Sequence, residues 1–186
     1  MKTGSGKKIV LGITASIAAF KACEIIGMLR KRGHSVKCVM SPHAKWFVTA
    51  TTLETLSGER AVTDMFKRPD KFDPVHISLA DEADLILIAP ATADIIGKIA
   101  SGICDDILSC TVAAAACPVV LAPAMNDRMF NNPVIRDKME YLRDKGYFFV
   151  DPVEGHLACG REGVGHLAPS ETIVEETEKI LLQKNN

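Results

Sequence analysis

Five short runs in this chain, at 8–14, 36–40, 85–89, 119–122 and 147–150, are almost continuously apolar and rich in β-branched residues. Between them lie stretches with apolar residues at helical spacing, such as 16–32, where Ile17, Phe20, Ile25, Met28 and Leu29 recur. A strand with one wet face alternates apolar and polar residues, whereas a strand apolar at every position must be covered on both faces. The pattern therefore predicts an α/β fold: a Rossmann-like doubly wound parallel sheet in three α/β/α layers, with ligands at the carboxyl ends of the strands. Further helices are expected at 95–100, 133–145 and 171–182. Segments 66–74 and 151–169, rich in Pro, Gly and charge, are expected to be irregular functional loops.

With 186 residues and 47% hydrophobic content, the chain supports one domain over 1–186 that needs neither metal nor disulfide, frayed at 1–6 and 184–186. Lys and Arg total 22 against 23 Asp and Glu, a net charge of -1 that supplies no footprint for nucleic acid or an anionic membrane. The apolar run 85–93 is closed by Asp84 and Asp94, well short of the roughly 20 residues that cross a bilayer. Six cysteines without CxxC spacing, and no signal-like opening segment, predict reduced thiols and a cytoplasmic protein. Cys23, Cys38, Cys110 and Cys117 read as buried small apolar residues, Cys104 less clearly so. His34, His43, His156 and His166 show no metal-ligand spacing, so no metal is expected.

After the first apolar run comes Gly12-Ile13-Thr14-Ala15-Ser16-Ile17-Ala18, small residues whose backbone N–H groups and hydroxyl suit an anion at a helix N-terminus. The same serine could equally be a helix N-cap, a role worth about 1 kcal/mol by itself. The turn is not GxGxxG, and Met40-Ser41-Pro42 stands where a ribose-binding acid belongs, which disfavours NAD. Gly4-Ser5-Gly6-Lys7 precedes the first strand and cannot act as a P-loop.

Two strand ends carry unusual sequences, Ala89-Pro90-Ala91-Thr92-Ala93-Asp94 and Ala122-Pro123-Ala124-Met125-Asn126-Asp127-Arg128-Met129-Phe130. With His76 in Val75-His76-Ile77-Ser78-Leu79 and Cys159 in Leu157-Ala158-Cys159-Gly160, they resemble the homo-oligomeric flavin-containing cysteine decarboxylases, in particular their phosphopantothenoylcysteine decarboxylase branch. The resemblance runs from about residue 7 to about 182, with four separated motifs in the family's order. It implies FMN held at the interface of a homotrimer, in some members a homododecamer, and a phosphopantothenoylcysteine synthetase either fused or separate. FMN contacts carry over to Ala15, Ser16, Ile17, Ser41, Thr92, Ala93, Asp94, Ile95, Ala124 and Met125, and substrate contacts to Asn126, Met129 and Ala158. The family usually has Ser-Ala-Asn-Thr where this chain has Thr92-Ala93-Asp94-Ile95, so Asp94 is alternatively assigned to the subunit interface. Phe130 replaces a usual Trp, and His166 a frequent Arg.

In the family reaction the thiol-bearing carbon of 4'-phosphopantothenoylcysteine is oxidised, CO₂ leaves from β to the resulting thioaldehyde, and the ene-thiol is reduced to 4'-phosphopantetheine. The resemblance makes His76 the base, suited by an imidazole pKa that is normally about 6.5. It gives Asn126 the substrate carboxylate. Cys159 becomes the proton donor of the reductive half, on a segment that closes over substrate. Peptidyl-cysteine decarboxylases lack that half, and a noncatalytic regulatory flavoprotein, usually with acidic extensions, is the other alternative.

Overall fold

The computed structural model describes residues 6–66, 74–156, 160 and 162–183. Cys159 and Ala158, most of the 66–74 segment and, Gly6 apart, both expected frayed ends lie outside the described residues.

Strands β1 (Lys8–Ile13), β2 (Ser35–Met40), β3 (Leu85–Ala91), β4 (Val119–Pro123) and β5 (Phe148–Phe149) form one parallel sheet in the order β2-β1-β3-β4-β5. The expected doubly wound α/β fold is thus observed. Its apolar strands sort their side chains by period two: Ile9, Leu11, Ile13, Leu85 and Leu87 join one core, Val10, Ile86 and Ile88 the other. The first core is covered by α1 (Lys21–Lys31), α2 (Ala50–Ser57) and α8 (Ser170–Gln183). The second is covered by α3 (Val75–Glu82), α4 (Ala93–Ser101), α5 (Ile107–Ala114), α6 (Asp127–Phe130) and α7 (Pro133–Asp144). Gly12 sits where these layers come closest, since a Cβ there would stand 2.6 Å from a Leu108 methyl.

The sheet departs from the sequence reading in three places. The third strand continues through Pro90 to Ala91, because the ladder with β4 is irregular between Ile88 and Ala91 and Pro90 needs no donor there. The first helix begins with a single 3₁₀ turn, Ile17–Phe20, capped by Ser16. The segment expected to be irregular from 151 folds into an antiparallel hairpin, β6 (Val153–His156) with β7 (Glu162–His166), its four glycines having hidden the alternation.

Of the cysteines expected to be buried, only Cys38 is; Cys23, Cys110 and Cys117 are half-buried, and Cys104 is exposed. Burial pushes the Cys38 thiol up to about 12.

Because β1 pairs with β2 on one side and β3 on the other, chain connections diverge at their carboxyl ends and leave a crevice. Thr14, 1% exposed, bridges it: its hydroxyl donates to the Pro90 carbonyl (2.7 Å) and accepts the Thr92 N–H (3.2 Å).

Candidate functional site

A cavity of about 500 Å³ opens in that crevice. Its wall takes Ala15 and Ser16 from the turn after β1, Ser41, Pro42 and His43 from the turn after β2, and Thr92, Ala93, Asp94 and Lys98 from α4. Asp105 and Asp106 enter from the start of α5, and Ala124, Met125 and Met129 from the segment after β4. Four chain segments distant in sequence thus converge because parallel strands all end at one edge.

Two sets of backbone donors face this edge. Thr92 caps α4, and the first intrahelical bond goes from Ile96 N–H to Thr92 O, so the N–H groups of Ala93, Asp94 and Ile95 have no acceptor within the helix. In the turn after β1, the Ser16 N–H is bonded to Thr14 O (2.9 Å) while Ser16 Oγ accepts the Ala18 N–H (3.2 Å). Ser16 is therefore a helix cap that also lines the cavity. Ile17 projects outward, 63% exposed, and Ile95 turns its side chain into the core, so any ligand contact by Ile95 is through its backbone.

Motif reasoning overlooked the electrostatic floor of the cavity. Lys98 Nζ lies 2.9 Å from Asp105, 3.1 Å from Asp106 and 3.6 Å from Asp94. The Asp94–Lys98 spacing of four, and Asp106 three residues before Ser109 in a capping box, were the available signals. Burial works against the Lys98 charge, yet hydrogen bonds to Asp105 and Asp106 outweigh it and hold the ammonium well above the ordinary lysine range. Burial likewise works against the Asp106 carboxylate, but the Ser109 N–H and Lys98 together bring it below the usual 3.8.

A depressed carboxyl value contributes stability above the unfolded pKa and loses it as pH falls through the folded one. The Asp106 contribution should be intact at neutral pH and disappear below about pH 3.8, whereas the Lys98 contribution persists until strongly alkaline conditions. Urea unfolding between pH 3 and 6 should show a shallower acid decline for Asp106→Asn than for wild type; parallel declines would refute this.

Of the remaining site residues, Asn126 and His76 are not on the cavity wall. Asn126 caps α6, its Oδ1 accepting the Arg128 N–H at 3.0 Å, between Met125 and Met129, which do line the cavity. His76 sits in the first turn of α3. Since α3 ends just before β3 begins, that first turn lies at the carboxyl edge of the sheet, packed against α5. His76 is half-buried, and its Nδ1 is buried without a hydrogen-bond partner among the described residues. The β6–β7 hairpin is tied to the cavity through Gly165, whose carbonyl accepts the Met125 N–H (3.0 Å); Cys159 falls between the two strands in sequence, outside the described residues. No cluster of three or more metal-ligating side chains occurs among the described residues. No helix there is long and apolar enough to cross a membrane.

Residues 2–182 match the family described as Flavoprotein. The chain belongs to that family. This flavoprotein is 42% identical over 182 residues to the coenzyme A biosynthesis bifunctional protein of Bacillus subtilis, a match covering 98% of this chain and 45% of that relative. It is 39% identical to the protein of the same description from Vibrio cholerae, covering 99% of this chain and 46% of the relative. The flavoprotein thus spans about half the length of the curated relatives it matches. Among solved structures it resembles a cysteine-to-serine PPC decarboxylase mutant complexed with pantothenoylaminoethenethiol, with TM-score 0.87, 28% identity and coverage of 97% and 100% of the two chains. The FMN-dependent cysteine decarboxylase SpaF follows with TM-score 0.83, 28% identity and coverage of 98% and 99%.

Proposed function

We propose that this flavoprotein is one FMN-binding domain that decarboxylates 4'-phosphopantothenoylcysteine to 4'-phosphopantetheine in coenzyme A biosynthesis, in the cytoplasm. The observation that carries the reading is that the chain matches the whole of a PPC decarboxylase while matching about half of bifunctional coenzyme A proteins. A phosphopantothenoylcysteine synthetase, fused to this domain or separate, would supply the substrate.

The cavity fits FMN. Its volume is that of a small-ligand site. The α4 N-terminus offers free N–H donors to an anionic or carbonyl oxygen. Ala15, Ala93, Ala124 and Met125 supply apolar wall for a ring system. When bound, FMN supplies the two-electron oxidation of the thiol-bearing carbon that makes loss of CO₂ possible, and returns the electrons afterwards.

The chain's own residues then bind, orient and move protons. Asn126, its Oδ1 engaged at the α6 cap, holds the substrate carboxylate through its amide N–H groups. Met129 and Ala158 flank the substrate. His76 accepts the proton, using Nε2 because Nδ1 is buried. Cys159, which lies in sequence between β6 and β7, delivers a proton to the ene-thiol. His76 stands off the cavity wall of its own chain, and Ile17, Phe20, Trp46 and Met129 leave apolar surface exposed around the cavity edge. Both facts favour a homo-oligomer, trimer or dodecamer, in which a second copy covers the edge and completes the site.

The likeness to SpaF favours a second reading, decarboxylation of a peptide's C-terminal cysteine. Incubation of the FMN-loaded protein with each substrate separates them. Release of CO₂ and 4'-phosphopantetheine, with accumulation of the ene-thiol in Cys159→Ser, is expected; a protein that cannot be loaded with FMN, or that acts only on the peptide, would overturn the reading.

A further inference from the structure

The segment that supplies the acids of the cavity floor is bracketed by two cysteines. Cys104 is exposed in the turn between α4 and α5, and Cys110 is half-buried as the fourth residue of α5. The capping box at Asp106 folds the chain so that Cys110 Sγ donates to the Cys104 carbonyl at 3.3 Å. Burial pushes the Cys110 thiol up, and the neighbouring Cys104 thiol and the Asp106 and Asp105 carboxylates add to it. A disulfide needs Cα atoms within about 7 Å and converging Cβ atoms. Cys110 already places its sulfur against the backbone of residue 104, which lies outside any helix or strand, so rotation about the Cys104 Cα–Cβ bond brings the two sulfurs together. Between them in sequence lie Asp105 and Asp106, which line the cavity and hold Lys98 Nζ at 2.9 and 3.1 Å.

We propose that Cys104 and Cys110 form a reversible dithiol–disulfide site, oxidised by low-molecular-weight disulfides, whose oxidation loosens FMN in the adjoining cavity. The effect on FMN rests on the cofactor reading above; formation of the disulfide does not. The exposed Cys104 thiolate attacks the incoming disulfide, forming a mixed disulfide and releasing one thiol. Cys110 then gives up its proton and attacks Cys104 Sγ, releasing the second thiol, so two protein thiols and one small disulfide become one protein disulfide and two small thiols. The raised Cys110 value slows this second step, and the nearness of the two residues offsets it. The new bond draws residue 104 onto α5 and re-sets the turn that carries Asp105 and Asp106. Asp105 is exposed, whereas Asp106 is buried and fixed by the Ser109 N–H, so the Asp105–Lys98 contact is the one that yields. A carboxylate released from Lys98 then faces a cavity that must take an anionic cofactor, and like charge weakens binding.

The test treats the full chain with glutathione disulfide, reads the mass of the peptide carrying residues 104–110, and titrates FMN into reduced and oxidised protein. Wild type should lose two hydrogens from that peptide without keeping a glutathione adduct. Its FMN affinity should fall about tenfold, the scale of one hydrogen bond to a charged group, and recover with dithiothreitol. Cys104→Ser and Cys110→Ser should bind FMN equally before and after treatment, with Cys110→Ser stopping at the mixed disulfide. Cys104 is exposed, so its serine variant remains a control even where the half-buried position does not tolerate change. A glutathione adduct that persists on wild-type Cys104, or a peptide left unmodified, overturns the inference. So does a disulfide that forms with FMN affinity unchanged, or a loss of affinity that both serine variants share. Reduced wild type that takes up no FMN sinks the cofactor reading and the proposed effect on it, an outcome distinct from failure of the disulfide to form.

Discussion

Replacing His76 with Asn should lower kcat for decarboxylation by about a hundred- to ten-thousand-fold, the usual contribution of a positioned general base, while FMN binding and thermal unfolding stay near wild type. The expectation of intact folding follows from the environment of the ring. Its Nδ1 is buried with no partner among the described residues, so substitution removes no Nδ1 hydrogen bond among them. The neighbouring Leu79 and Ala80, which are buried, anchor the helix independently. Unpartnered buried nitrogens are uncommon, and a functional role is one of the few reasons to keep one. A merely structural histidine would show the opposite split, with lowered stability and a roughly proportionate fall in active protein. Steady-state kinetics alongside calorimetry separates these outcomes, and a kcat loss below about threefold would remove His76 from the chemistry.

The layers of this fold were legible because its central strands are apolar on both faces, a pattern that admits few alternatives. The cavity was legible for the same reason, since Ala15, Ser16, Thr92 and Met125 all follow such strands directly. Other elements left weaker signals. Helix α5 is apolar nearly all round, and α2 and α3 are only eight residues long, so none shows a clear amphipathic period. The β6–β7 hairpin is masked by glycines whose reasons are tertiary. The Lys98 cluster draws one acid from α4 and two from the 102–106 turn, and sequence spacing suggests only one of the pairs, Asp94 with Lys98. The placement of His76 off the cavity wall could not be read at all, because a motif reports which residue is present and not which side of a wall it occupies.

The second large effect is expected at Gly165. Its φ is +148°, a region L side chains rarely adopt, and an added Cβ would stand 2.2 Å from the Met125 carbonyl oxygen. Gly165→Ala must therefore move either the hairpin or the Met125 backbone, and the Met125 N–H to Gly165 O bond is lost with the movement. The two alternatives differ in cost. Met125 continues directly from β4 and packs against the second core, whereas β6 and β7 form a separate two-stranded sheet. The hairpin should yield. Hydrogen exchange should then accelerate at Met125 and along Glu162–His166, with the five-stranded sheet still protected, because local opening of a small unit need not involve the main core. If Cys159 depends on the hairpin for its placement, the variant should release ene-thiol in place of 4'-phosphopantetheine, with about one CO₂ per flavin in the absence of O₂ and continued CO₂ release only when dissolved O₂ reoxidises the flavin. Unchanged exchange at Met125 and in the hairpin would show that the contact does not fasten it, and full conversion to 4'-phosphopantetheine would show that fastening is not needed for the proton transfer.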